Sequence, residues 1–414
     1  MIPYSRQLIE QDDIEAVNSV LRSDFLTQGP VVESFESALK SYCGARHAVL
    51  FSSGTAALHA AYFAAGVCGG DEVVTSPITF AATANAALYL GANPVFVDVE
   101  PDTGNMEVEH LRQAVTERTK AIVPVHFAGH PVDLEGVFAV ARKSRAIVIE
   151  DACHALGAHY RASGSRFKRQ GSGEKPGESG NSDPDTWTKI GGCAYSDMTV
   201  FSFHPVKQIT TGEGGAVLTN RDDLCDRLRL FRTHGITKDP SKFRMTHDPC
   251  PEPQLCVGDW YYEMQELGFN YRISDIHAAL GMSQLRKLDI FVARRREIAE
   301  RYRVAYAENP FFETPPERSY ARSAYHLYPI RLSRALVDRK REIFSGLKDS
   351  GLGVQVHYLP VYLQPYYLEM GYRRGLCPAA EQFYEREISI PLYPAMDDET
   401  VNTVINTLLG SLRI

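Results

Sequence analysis

Seven short apolar runs recur between residues 48 and 220, and helical stretches separate most of them. They are Ala48 to Phe51, "DEVVTSP" (71–77), "NPVFVDV" (93–99), "AIVPVHF" (121–127), "AIVIED" (146–151), "MTVFSF" (198–203) and "GGAVLTN" (214–220). Runs this short and rich in β-branched residues read as strands buried on both faces. Their alternation with helices predicts an α/β domain built on a mainly parallel sheet. In such a sheet the ligand site lies beyond the carboxyl ends of the strands, so residues far apart in sequence can meet there.

The chain has 414 residues, 44% hydrophobic and 23% charged, with a net charge of −7. That composition is ordinary for a globular protein with a substantial core. The acidic balance, without a basic arm or stripe, argues against nucleic acid or an anionic membrane as the main partner. "MIPYSRQLIEQDDIEAV" lacks the basic and apolar regions of a signal peptide, and no apolar run approaches the roughly 18 residues of a membrane span. Eight cysteines are scattered without paired spacing, which predicts free thiols in a reducing cytoplasm. His247, Cys250 and Cys256 cluster in "HDPCPEPQLC", but their spacing matches no common zinc pattern, so no metal is expected.

Helices are predicted over 12–24 and 31–43. Two segments break the texture: a Gly/Ser/Pro- and charge-rich insertion at 161–188, and a second irregular loop at about 238–259. After "NYRISDIHAALGMSQLRKLDIFVARRREIAERYRVAY" (270–306), a long amphipathic stretch with Leu280, Leu285, Leu288 and Ile298 on its apolar positions, the pattern changes. "AYHLYPIRL" (324–332) and "GVQVHYLP" (353–360) read as antiparallel strands, and 398–412 as a closing helix. The expected organisation is a large domain, 1–270, and a smaller α+β domain, 271–414, that includes the linking helix.

Four features fall at strand ends of the large domain. "SSGT" (Ser52 to Thr55) precedes a helix, whose free N–H groups and positive dipole end suit a phosphate; by itself it also reads as a plain N-cap. Asp151 closes a buried strand, where a carboxylate needs a partner such as a protonated heterocyclic nitrogen, or else caps the following turn. Phe80 could stack on a flat ring or be an ordinary core aromatic. Lys207 follows "MTVFSF" at a strand end, where desolvation would make its amine nucleophilic; alone it also reads as a solvated turn lysine. In combination, a phosphate cup, a ring-stacking aromatic, a buried carboxylate and a lysine meet the needs of pyridoxal 5'-phosphate (PLP).

The motifs "SSGTAAL", "PITFAATANA", "IEDACHALGA", "FSFHPVKQITTGEGGAV", "HGI" and "GFNYRISDIHAALG" resemble, in order, those of the DegT/DnrJ-type sugar aminotransferases. The resemblance spans nearly the whole chain. Within that family, "IPYSRQ", "LRSDFLTQGP", "VPVHFAGHP", "WYYEMQELGFNYR" and "VHYLPVYLQPYY" are most similar to the PseC type, which aminates a UDP-4-keto sugar in pseudaminic acid biosynthesis.

The resemblance implies an aspartate-aminotransferase-like fold (fold type I), with PLP as cofactor, Lys207 as the Schiff-base lysine and Asp151 as the pyridinium partner. It implies that His154 contacts the 3-hydroxyl and that Gly54, Thr55 and Ser202 hold the phosphate. Phe80 would stack on the ring. Asn270 would reach the phosphate of the other subunit, making an obligate homodimer with shared active sites. Tyr4, the segment Asp24, Phe25, Leu26 and Thr27, and the segment His357, Tyr358, Leu359 and Pro360 resemble sugar-nucleotide contacts.

The implied reaction is ping-pong: L-glutamate donates an amino group that passes to C4 of a UDP-linked 4-keto-6-deoxy-N-acetylhexosamine. Alternatives are another NDP-4-keto sugar of the bacillosamine type, a PLP-dependent sugar dehydratase, which would replace the lysine with histidine, and a non-catalytic regulatory protein on the same fold. The 161–188 insertion and the 238–259 loop depart from the subgroup without removing a motif residue.

Overall fold

A computed structural model describes residues 1–162, 187–244, 258 and 260–412. Seven strands form the main sheet: β1 (His47–Phe51), β2 (Glu72–Thr75), β3 (Asn93–Phe96), β4 (Thr119–Val123), β5 (Ile147–Asp151), β6 (Met198–Ser202) and β7 (Gly215–Thr219). Their order is β1-β7-β6-β5-β4-β2-β3. The run from β3 to β6 is parallel, while β7 lies antiparallel to both β6 and β1.

Alternate residues of these strands enter two separate cores, as the two-residue period of a strand requires. Val73, Ala121, Ile149, Val200 and Val217 face one side; Val74, Ile122, Val148, Phe201 and Leu218 face the other. Helix Gly54–Ala64 is buried almost all round, which explains its Ala-rich composition: small side chains let its backbone lie close to the sheet.

Helix Asp275–Ala305 links the large domain to the smaller sheet. Its 31 residues span about 46 Å at 1.5 Å per residue. Leu285, Leu288 and Ile298 are buried along it, with Leu280 half-buried. Its first carboxylate, Asp275, accepts from the N–H groups of Gly29 (2.8 Å) and Val31 (3.0 Å), and so caps helix Pro30–Cys43 across the chain. Farther along, the fully enclosed Arg295 donates to the carbonyls of Tyr325 (3.2 Å), His326 (3.2 Å) and Leu392 (2.9 Å). Three carbonyl acceptors hold it with no carboxylate partner among the described residues, and burial lowers its pKa to about 9.

The smaller sheet consists of Phe312–Glu313, Tyr328–Leu332 and Glu387–Ile390, all antiparallel. Here the sequence reading needs correction. Segment 353–360 is not a strand; among the described residues its backbone pairs with the sheet through a single bridge between Gln355 and Ser389. Its backbone groups are taken elsewhere: Gly353 N–H bonds the carbonyl of Ile2, and His357 N–H bonds the Glu387 side chain. The third strand is instead 387–390, whose residues are fully buried.

Strands His159–Arg161, Trp187–Lys189 and Ala321–Arg322 form a further small sheet. Trp187 is flanked by the guanidinium groups of Arg161 (5.0 Å) and Arg322 (4.2 Å). These strands hold both ends of the 161–188 insertion, whose residues 163–186 lie outside the described residues. Most of the 238–259 loop, with His247, Cys250 and Cys256, also lies outside them.

Replacing Arg295 with Ala would leave three buried carbonyls without their donor. The expected cost is about 3 kcal/mol, from the penalty for buried groups left unsatisfied, read as a lowered denaturant midpoint. Arg295→Lys should recover only part of it, because an ammonium lacks the planar fork.

Candidate active site

The carboxyl ends of the parallel strands open into a cavity of about 460 Å³. Strand β5 ends there in two acidic residues that face opposite ways. Glu150 points into the sheet's interior, where it meets His126 Nε2 (2.8 Å), Thr199 Oγ1 (3.0 Å) and Ser196 Oγ. His126 Nδ1 accepts from Val132 N–H (3.1 Å), so its proton sits on Nε2 and is donated to Glu150. Asp151 turns toward the cavity. Its Oδ2 accepts from Thr83 Oγ1 at 2.6 Å and its Oδ1 from Cys153 N–H at 3.2 Å. Thr83 is held in turn by Thr79 (2.8 Å). The carboxylate is buried yet oriented, and it lines the cavity among neutral donors.

Lys207 enters from the turn between β6 and β7, with its N–H on the carbonyl of His204 (2.9 Å). Burial of the amine lowers its pKa, while Cys153 and Asp151 partly restore it. A lysine so placed carries more free amine near neutral pH than one in water.

The third side is the start of helix Gly54–Ala64, where Ser53 Oγ accepts from Ala56 N–H (3.1 Å). A Cβ on Gly54 would lie 2.9 Å from Ser202 Cβ, and one on Gly215 would lie 2.6 Å from the Ser53 carbonyl. Glycine at both positions lets the helix start, β6 and β7 crowd together, leaving backbone N–H groups toward the cavity.

His154 forms the remaining wall. Its Nε2 lies 3.3 Å from Tyr358 Oη, its carbonyl accepts from Gln208, and its ring centroid is 4.3 Å from that of His326. Its buried Nδ1 has no hydrogen-bond partner among the described residues. Burial, reinforced by Lys207 and His357, holds the imidazole neutral by lowering its pKa well below the ordinary value.

Tyr4, Gly54, Thr55, Phe80, Asp151, His154, Ser202, Lys207, His357 and Tyr358 therefore meet around one cavity. Phe80 lies at its rim and is 63% exposed. The other sequence candidates do not line it. Asn270 is exposed and bridges Thr233; Asp24, Phe25, Leu26 and Thr27 are exposed, with Thr27 bridging Ser274. Leu359 and Pro360 follow His357 and Tyr358 without reaching it. Sequence reasoning passed over Thr83 and Cys153. Thr83 sits in the first turn of the Ala-rich helix Ala82–Leu88 and Thr79 in the bend before it; two hydroxyls in an otherwise apolar stretch could have marked them.

The sequence profile of the "DegT/DnrJ/EryC1/StrS aminotransferase family" matches residues 7–409. The chain belongs to this family. It is 39% identical to the UDP-4-amino-4,6-dideoxy-N-acetyl-beta-L-altrosamine transaminase of Campylobacter jejuni, covering 100% of this chain and 98% of that one. The fold matches Helicobacter pylori PseC, an aminotransferase involved in the biosynthesis of pseudoaminic acid, with a TM-score of 0.84 and 32% identity; 100% of this chain and 99% of that chain are covered. It matches the PLP-form of Streptococcus pneumoniae Spr1654 with a TM-score of 0.84 and 28% identity, over 100% and 98% of the two chains.

The protein is thus a PLP-dependent sugar aminotransferase of fold type I. Its own residues fit the cofactor: a helix start crowded by glycine for a phosphate, an oriented carboxylate for a ring nitrogen, and a desolvated amine for a carbonyl carbon. Thr83→Val, which removes the donor to Asp151 Oδ2, is expected to weaken PLP binding about tenfold, on the scale of a hydrogen bond to a charged group. Fluorescence titration of the stripped protein with PLP checks this.

Proposed function

We propose that this enzyme transfers the amino group of L-glutamate to C4 of a UDP-linked 4-keto-6-deoxy-N-acetylhexosamine, UDP-2-acetamido-2,6-dideoxy-beta-L-arabino-hex-4-ulose, in pseudaminic acid biosynthesis. The observation that carries the reading is the convergence of Asp151, Lys207, His154 and the Gly54 helix start on one cavity. The likeness to the altrosamine transaminase and to PseC supports the choice of sugar.

When bound, PLP supplies a carbonyl carbon that bonds to amines and a ring that takes up electrons. Gly54, Thr55 and Ser202 would hold its phosphate, and Phe80, at the cavity rim, would cover the ring. Asp151 keeps the pyridine nitrogen protonated, and the hydroxyl of Thr83 fixes the direction of its carboxylate. His154, held neutral by burial, would face the 3-hydroxyl. Lys207 would tether the cofactor, and its Nζ, when free, would take the Cα proton of the amino donor as general base. Tyr4, His357 and Tyr358, on the side of the cavity next to His154, would orient the sugar nucleotide.

The two-subunit site rests on a separate observation. Trp260 (75% exposed), Tyr262, Met264, Leu267 and Phe269 form an exposed apolar stretch immediately before Asn270. Burying that stretch against a second copy would carry Asn270 toward the partner's phosphate site. No helix of the described residues is long and apolar enough to cross a membrane, and we assign the enzyme to the cytoplasm.

Purified protein should be yellow, and L-glutamate should bleach it. Lys207→Ala should lose turnover by at least about 10⁴-fold, since it removes both tether and base; a variant that still turned over would overturn the assignment. Because burial lowers the Lys207 pKa, the bleaching rate should rise with pH as the amine deprotonates. It should level off at a lower pH than an ordinary lysine would allow. A panel of UDP- and dTDP-4-keto sugars, with product stereochemistry by NMR, tests the substrate; preference for a bacillosamine-type sugar would replace it. For the shared site, mixing inactive Lys207→Ala and Asn270→Ala proteins should restore activity through hybrid dimers carrying one intact site. A mixture that stayed inactive after verified subunit exchange would exclude it.

A further inference from the structure

Glu387 is enclosed completely, and no ion pair reaches it among the described residues. A buried carboxylate in that state is costly unless hydrogen bonds or a proton satisfy it. Its two oxygens are used in a specific way. Oε2 accepts from the backbone N–H of His357 at 2.8 Å, and Oε1 accepts from Ser389 Oγ at 2.5 Å. Ser389 Oγ lies 2.9 Å from His357 Nδ1. Glu387 and Ser389 are two apart on one strand and so share a face. His357 lines the cavity, and its Nε2 makes no hydrogen bond within the described residues.

A hydroxyl has one proton, so the chain has two ordered forms. With Glu387 ionised, Ser389 donates to Glu387, Nδ1–H of His357 donates to Ser389, and Nε2 offers a lone pair. If Nε2 takes a proton, Nδ1–H passes to Ser389 and the Ser389 proton passes to Glu387. The chain gains one proton in total, the imidazole stays neutral, and the charge neutralised is that of the buried carboxylate.

We propose that His357, Ser389 and Glu387 form a proton relay that lets a neutral imidazole accept a proton from the amino donor's ammonium group, freeing that amine to react. This rests on the aminotransferase reading above. The surroundings favour the relay over an imidazolium. Burial and Lys207 lower the His357 pKa to about 3, whereas burial raises that of Glu387. The other groups facing the relay are Lys340, whose Nζ bonds the Tyr384 carbonyl, Tyr4 and Tyr358 beside the imidazole, and the neutral His154 and His326. Arg331, paired with Glu387 across the sheet, spends its guanidinium on Glu313 and the Asp102 carbonyl. Glu387 and Ser389 are positioning residues, and His357 is the group that meets the donor.

Nitrogen-15 NMR of histidine-labelled protein, with His357 assigned from a His357→Gln spectrum, reads the tautomer directly. In the PLP-loaded wild type, His357 should change from the Nδ1–H to the Nε2–H form as pH falls, without becoming an imidazolium. Ser389→Ala should abolish the change and slow bleaching by L-glutamate about 100-fold, on the scale of general-base catalysis. Glu387→Gln should hold one tautomer at all pH values and remove the corresponding ionisation from the bleaching profile. A wild-type His357 fixed in one tautomer, or a Ser389→Ala protein with the wild-type tautomer change and bleaching profile, would overturn the relay. If Glu387→Gln does not fold, Ser389→Ala decides alone. A wild type that shows the tautomer change but is not bleached by L-glutamate would instead count against the donor assignment.

Discussion

A carboxylate at the end of a buried strand must be satisfied from every side, and the large domain is organised around meeting that demand at Asp151. The strand supplies the position. Thr83 and the Cys153 N–H supply the donors, and the cavity supplies the open side on which a cationic ring nitrogen can complete the set. Glu150, one residue earlier, faces the same cost and resolves it inwardly with His126, Ser196 and Thr199. The pair shows how the two faces of one strand divide labour: one acid locks the sheet, the other is left for chemistry.

The same reasoning extends to the lysine. Lys207 is buried beside the cavity, five residues after the end of β6, which packs against the helix start at Gly54, a contact that needs glycine where Ser202 approaches. Packing and reactivity are therefore one problem in this site. A larger residue at 54 would push β6 away and loosen the burial that makes the amine basic chemistry accessible near neutral pH.

Much of this was legible in the chain. The seven apolar runs became the seven strands of the main sheet, and "SSGT", Asp151, His154, Ser202 and Lys207 do share a cavity. Residues whose signal was pairwise were harder to read. Thr83 gains its meaning from a carboxylate 68 positions away. The segment 353–360 has the alternating apolar pattern of a strand, but beyond the single Gln355–Ser389 bridge its N–H groups include ones that bond a side chain and the N-terminal segment. Glu387 in "EREISI" reads as a charged residue before a short apolar run, with nothing local to show that it is enclosed.

The sequence by itself determined the α/β class, the order of the strands' apolar runs and the residue types that PLP chemistry requires, because periodicity and strand-end composition are local properties. The tertiary structure decided which polar groups are buried and which neighbour each one finds. That is why the orientation of Asp151, the desolvation of Lys207 and the contact of His357 with Ser389 and Glu387 emerge only in three dimensions: the first and last depend on hydrogen-bond partners, and the second on burial, that the fold and no stretch of sequence supplies.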